Sequence, residues 1–140
     1  MAATEAQIAY LTLLKMGDGA SPEVFTTIAE VKSINGFGFT ASEVNATHME
    51  SPNGYEEFVA GLKTGDTMTI RMNAIRTNLL LTKSIWDAGL RKNFEMNLPS
   101  TLPDYDFSAI PIAWHMGDLT PSGLVEVECT ARLTGAISGS

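Results

Sequence analysis

The 140-residue chain carries 9 Lys and Arg against 16 Asp and Glu, a formal net charge of −7, and is 44% apolar but only 18% charged. An acidic chain of this kind does not hold nucleic acid through its phosphates, because that affinity comes from Lys and Arg clusters displacing counterions. The single Cys129 excludes an internal disulfide framework, and no apolar run reaches the length of a membrane-spanning helix. One domain, residues 1–140, is the expectation from length, and a chain of this size buries about two thirds of its unfolded surface in a single core. The small charged fraction suits a surface partly occupied by neighbours. The start, MAATEAQIAY, lacks the basic region and long apolar core of a signal peptide, which predicts synthesis in the cytoplasm.

Residues 1–7 are small and polar and predict an N-terminal arm, followed by a first strand through Ile8, Tyr10, Leu11, Leu13, Leu14 and Met16. The turn formers of MGDGASPE come next; Gly17-Asp18-Gly19 lacks the Lys-Ser/Thr ending of a phosphate loop and reads as a turn. From Val24 the β-branched run VFTTIAEVKSI predicts one strand, and Asn35-Gly36 predicts a tight hairpin turn after it. Extended chain then leads into the stretch Ala46 to Asp66.

That stretch reads as a built loop, too long for a hairpin turn and too patterned for a linker. Ser51, Pro52, Asn53 and Gly54 supply a turn at its tip, with Met49, Tyr55, Phe58, Val59 and Leu62 on either side. Connections this long in compact domains are usually functional, and exposed apolar side chains need something to cover them. Residues 46–66 are therefore predicted to be a docking arm between subunits, with Met49, Ser51, Pro52, Tyr55, Glu56, Phe58 and Leu62 as its contact residues.

In Thr67 to Asn73 the residues Met68, Ile70 and Met72 alternate with Thr69 and Arg71, which predicts a strand with one wet face. The period then changes: Ile75, Leu79, Trp86 and Leu90 predict a helix over 75–90, with Gly89 and Arg91-Lys92 at its C-terminal end. Three strands follow. In the first, Phe94, Met96 and Leu98 alternate with polar residues. In the second, Ile110, Ile112, Trp114 and Met116 form the predicted apolar face, and Pro111 asks for an edge or a bulge. The third places Val125, Val127, Cys129, Ala131 and Leu133 opposite Glu126, Glu128, Thr130, Arg132 and Thr134. A flexible tail is predicted over 136–140, and Asp104 and Asp106 are read as part of a Pro-bounded turn.

Six or seven strands and one helix predict a mainly β fold, an antiparallel β-sandwich or partly open barrel with one flanking α-helix. Open edges invite intermolecular pairing. No nucleophile, base and orienter fall into an arrangement and no cofactor fingerprint occurs, so neither catalysis, nor a cofactor, nor a metal is predicted. A small-ligand-binding β-barrel, with residues 46–66 as a lid, is the alternative from a different class.

Two blocks, Gly17-Asp18-Gly19-Ala20-Ser21-Pro22-Glu23-Val24-Phe25-Thr26-Thr27-Ile28-Ala29-Glu30-Val31 and Thr47-His48-Met49-Glu50-Ser51-Pro52-Asn53-Gly54-Tyr55-Glu56-Glu57-Phe58, followed by Gly61-Leu62-Lys63, resemble the major tail tube proteins of long-tailed, lambda-like siphophages. The pattern departs at Asn53, where Gly is common, at Glu56, where a basic residue is frequent, and at Thr64 and Asp66. The resemblance implies a phage tail tube fold that closes into hexameric rings, stacked into a virion tube. Tape measure protein and then double-stranded DNA would pass through it, terminator and distal tail proteins would sit at its ends, and nothing would insert in a membrane. A secretion-type tube subunit is the nearest alternative. Within this picture Glu95, Glu126 and Glu128 are the lumen-facing candidates, since carboxylates repel phosphates along the wall.

Overall fold

The computed structural model describes residues 10–18, 22–99 and 101–139, so the arm expected over 1–7 lies outside the described residues. The elements are β1 (Leu13–Gly17), β2 (Phe25–Thr27), β3 (Val31–Asn35), β4 (Phe39–Asn45), β5 (Phe58–Gly65), β6 (Thr67–Asn73), α1 (Arg76–Ala88), β7 (Lys92–Asn97), β8 (Asp104–Met116) and β9 (Glu126–Gly139). Seven strands form one antiparallel sheet in the order β2-β1-β7-β8-β9-β6-β3, while β4 and β5 pair only with each other. The architecture is the mainly antiparallel β fold with one helix that the pattern predicts, without closure into a barrel.

The run from Val24 to Ile34 is not one strand but two, and they occupy opposite edges of the sheet. Only Ile28 to Glu30 separate them, a span of roughly 14 Å at full extension, so the sheet must curl until its two edges approach. The break is built locally. Glu30 has a positive φ of 54°, and Ile28, 4% exposed, turns into the core while its N–H donates to the Leu14 carbonyl at 2.9 Å.

Inside the curl lies the core. Met68, Ile70 and Met72 of β6 are fully buried, as are Cys129 and Ala131 of β9, with Leu14, Phe94, Phe107 and Val127 completing the layer. Alternation places each of these on the inner face, as predicted for β6, β7 and β9. The α1 helix covers one side through Leu79, Leu81, Ile85 and Trp86. Its most buried residues, however, are the polar Asn78 and Thr82, each hydrogen-bonded. Asn78 Nδ2 donates to the carbonyls of Ala29 and Asn73 at 2.7 and 3.2 Å. Thr82 Oγ1 donates to the Asn78 carbonyl at 2.6 Å and accepts from Trp114 Nε1 at 3.0 Å, and Trp86 Nε1 donates to the Thr130 carbonyl at 3.0 Å. Ile75 and Gly89 are the caps of this helix, not its interior, and Leu90 lies past its end.

Three local expectations are corrected. First, Phe107 and Ala109 form the inner face of β8, whereas Ile110, Ile112 and Met116 stand 41%, 55% and 43% exposed. The register shifts between Pro111 and Ala113, so the bulge that Pro111 asks for inverts the alternation and brings Trp114 inward opposite Cys129. Second, the predicted tail is strand over its described residues, 136–139: Ser138 lies opposite Asp106 and Gly139 opposite Tyr105. Third, Asn35-Gly36 does not join a hairpin, because β3 pairs with β6 and β4 with β5. Gly36 still needs its freedom, having φ 84° and the Thr67 carbonyl oxygen 2.3 Å from where a Cβ would stand.

Candidate functional site

The stretch predicted to be a loop over 46–66 is the distal half of a β-hairpin. Residues 58–65 are β5, paired with β4 from Phe39↔Gly65 to Asn45↔Phe58, and only residues 46–57 form the connecting loop. A bulge between Ala41 and Glu43 is the reason plain alternation does not betray this strand. Gly61 sits at the bulge, where a Cβ would stand 2.3 Å from Ser42 Oγ. No residue of β4 or β5 is buried, and an isolated two-stranded hairpin is marginal in water. The arm meets the body at its root, where Leu133 N–H donates to the Asp66 carbonyl at 3.0 Å and Gly65 lies against Leu133, while Asp66 N–H donates to the Gly38 carbonyl at 3.0 Å and closes the base of the hairpin.

Its tip is ordered by polar bonds. Glu57 is the hub: Oε2 accepts from Ser51 Oγ at 2.7 Å and lies 3.2 Å from His48 Nε2. Ser51 Oγ in turn accepts from His48 N–H at 3.0 Å, His48 Nδ1 accepts from Glu50 N–H at 3.1 Å, and Thr47 Oγ1 accepts from Glu57 N–H at 2.9 Å. Pro52 opens a short 3-10 turn through Asn53, whose φ of 55° is one that Asn tolerates. Ser51 and Pro52 therefore shape the tip, whereas Met49, Tyr55, Glu56, Phe58 and Leu62 are presented to solvent, Met49 fully and Leu62 at 87%. The organising roles of His48 and Glu57 are invisible in the sequence, since only the fold shows that positions 48, 51 and 57 converge. Ser, His and Glu meet here without forming a nucleophile and base, because Ser51 and His48 both direct their donors at the same carboxylate oxygen.

The second region is the outer face of the seven-stranded sheet. Glu95, Glu126 and Glu128 all lie on it, each beside a cation: Lys15 Nζ is 3.8 Å from Glu95, Arg71 is 3.2 Å from Glu128, and Lys32 donates to Glu126. The Lys32 bond, then its charge, holds the Glu126 carboxyl below its ordinary range. The structure does not bring the three together. Glu95 stands opposite Asp106 and Asp106 opposite Ser138, which is about ten residues, roughly 30 Å, along β9 from Glu128. At the Glu95 end the residues read as a turn, Asp104 and Asp106, belong to β8 and extend the acidic face. Loss of water contact, then the charges of Glu95 and Asp104, push the Asp106 carboxyl up. Cys129 lies on the opposite, inner face, where burial pushes its thiol up to about 12.

No family model and no curated protein matches the sequence. The fold does find counterparts. A chain from the tail of an empty gene transfer agent particle, determined with helical refinement and C6 symmetry, superposes at TM-score 0.78 with 21% identity, over 96% of this chain and 99% of that one. A chain from the sheath-tube complex of an extracellular contractile injection system superposes at 0.72 with 13% identity, over 97% and 92%. The SPP1 tail tube superposes at 0.61 with 14% identity, over 91% and 74%. Across almost all of its length, the chain has the fold of the tail tube proteins of phage-like particles.

Proposed function

We propose that this chain is the structural subunit of a tail tube, closing into hexameric rings that stack so that the outer, polar face of its sheet lines a passage for tape measure protein and then double-stranded DNA. The observation that carries the reading is the hairpin arm, a long two-stranded segment without a buried residue that stands apart from the packed seven-stranded sheet. Such an arm gains a core only against another subunit. The free edges of β2 and β3 leave unpaired backbone groups available to neighbours in the same ring. The interior of the curled sheet is filled by its own side chains, which argues against a ligand-binding barrel.

The polar face suits a passage because most of its cations are engaged. Lys15, Lys32 and Arg71 each face a carboxylate of the same sheet, and Arg132 of β9 stands exposed beside them, so phosphates meet mainly paired charge. Asp104 and Asp106 add uncompensated negative charge at one end. This near balance, together with the likeness to the contractile sheath-tube chain, also supports a second reading in which the same tube conveys protein.

Negative-stain electron microscopy of the purified protein over a concentration series, beside a light-scattering mass, tests assembly directly: hollow tubes of uniform diameter are expected, and a monomer at every concentration refutes the reading. Reversing Glu126→Lys and Glu128→Lys together strips Lys32 and Arg71 of their partners and leaves four cations on one patch. Tubes should persist while DNA ejection slows or stops. Unchanged ejection removes this face from the passage.

A further inference from the structure

We propose that the β4–β5 arm of one subunit docks on the exposed face of α1 of a second copy, an assignment that rests on the tube-subunit reading and names the surface the arm engages. The arm, residues 39–65, carries Glu43, Glu50, Glu56 and Glu57 against the single cation Lys63. The helix and its C-terminal flank, residues 76–92, carry Arg76, Lys83, Arg91 and Lys92 against the single carboxylate Asp87. The arm is thus net −3 and the helix with its flank net +3, in a chain of net charge −7.

Apolar exposure matches the charge. On the arm Met49, Tyr55, Phe58 and Leu62 stand between 53% and 103% exposed; Leu80 and Leu90 are 59% and 68% exposed on and just past the helix. Helical spacing puts Arg76, Leu80, Lys83, Ser84 and Asp87 on one side of α1, all exposed, opposite the side that buries Asn78 and Thr82. Lys83 already bonds Asp87 at 2.7 Å, so Arg76 at one end and Arg91 at the other are the cations this face offers. The first turn of α1 holds no acidic residue and Ile75 offers no side-chain cap, so the positive helix end is left with Arg76 and no compensating carboxylate of its own. An incoming Glu50 or Glu56 supplies that charge.

A further exposed apolar patch, Met116, Leu119, Leu124 and Val125 at the β8–β9 connection, fits the arm poorly. Residues 116–125 contain Asp118 and no Lys or Arg, so an acidic arm would meet like charge there. A surface pairing arm with helix is heterologous, each copy offering one half to the next, which generates a ring or a stack and not a closed dimer.

Charge reversal with mixing tests the pairing. An arm variant, Glu50→Lys with Glu56→Lys, and a helix variant, Arg76→Glu with Arg91→Glu, spare the core and the Glu57 hub. Each alone should lower the assembled fraction by about tenfold or more at fixed concentration. An equal mixture should recover it, because the reversed arm faces the reversed helix and the native arm faces the native helix. Recovery also shows that both variants are folded. If the wild type assembles and single reversals leave assembly unchanged, or if the mixture recovers nothing, the docking pair is overturned while the tube reading stands. A wild type that never assembles overturns both.

Discussion

The curled sheet and the hairpin arm are built from similar residues and obey opposite rules. In the sheet, Met68, Ile70, Met72, Cys129 and Ala131 are fully buried, and each outward carboxylate of β7 and β9 stands beside a cation from another strand of the same sheet. In the arm, Phe39, Val44, Phe58, Val59 and Leu62 are exposed, and the carboxylates of Glu43, Glu50 and Glu56 face solvent. The body buries its apolar face. The arm satisfies only its backbone and its tip, so stability resides in the body, and the arm is the region proposed for association.

Truncations break the comparison most sharply. Phe94 is 1% exposed and stacks on Phe107 with centroids 5.5 Å apart, while Phe107 also meets Phe37 at 4.8 Å. Phe94→Ala should cost about 3–5 kcal/mol in urea unfolding, from lost contacts and the cavity left behind. Leu62→Ser, at the centre of the arm, should change stability by no more than about 0.5 kcal/mol yet abolish assembly. A large stability loss from Leu62→Ser would mean the arm packs on its own body and the contrast is false.

A middle-sized effect isolates the tip. Replacing Glu57→Ala removes the acceptor for Ser51 Oγ and the partner of His48 Nε2 in one step. Amide hydrogen exchange across residues 47–57 should quicken by about fivefold, matching the ~1 kcal/mol of such bonds, with global unfolding unmoved. Exchange that stays slow would show that the backbone alone holds the tip.

How much of this was legible follows from period. Where a strand keeps a strict two-residue alternation, as in Met68-Ile70-Met72 or Val127-Cys129-Ala131-Leu133, the inner face is readable from the sequence, because each residue's side is fixed by its neighbour's. Where a bulge intervenes, alternation misleads: Pro111 to Ala113 inverts β8 and exposes Ile110 and Ile112, and the bulge in the hairpin hides β5 inside what reads as loop. The identity of the arm as an exposed apolar segment survives that error, since the side chains that signal it are the same. Two features had no local sign. The curl depends on β2 and β3 reaching opposite edges, and the opposing ends of the polar face depend on pairings between residues ten or more positions apart along the strands. Asp104 and Asp106 look like turn residues because Pro103 precedes them, yet β7 recruits them into β8.

The smallest effect sharpens the body's side of the comparison, because acid should act in opposite directions at the two ends of the polar face. Glu126, held below its ordinary 4.5 by Lys32, stabilises the fold above that value and loses its contribution as pH falls through its depressed folded pKa. Asp106, pushed above 3.8, binds its proton more tightly folded than unfolded, so its destabilising contribution is present at neutral pH and relieved as pH falls through the raised value toward 3.8. Asp106→Asn removes the charge that Glu95 and Asp104 oppose. It should raise stability at pH 7 by no more than about 0.5 kcal/mol, given screening at an exposed site, and the gain should vanish in acid below 3.8. Urea midpoints of the two proteins at pH 7 and pH 3 measure this. A gain that persists at pH 3 would assign the effect to packing or hydrogen bonding, and the acidic end of the face would then carry no electrostatic strain.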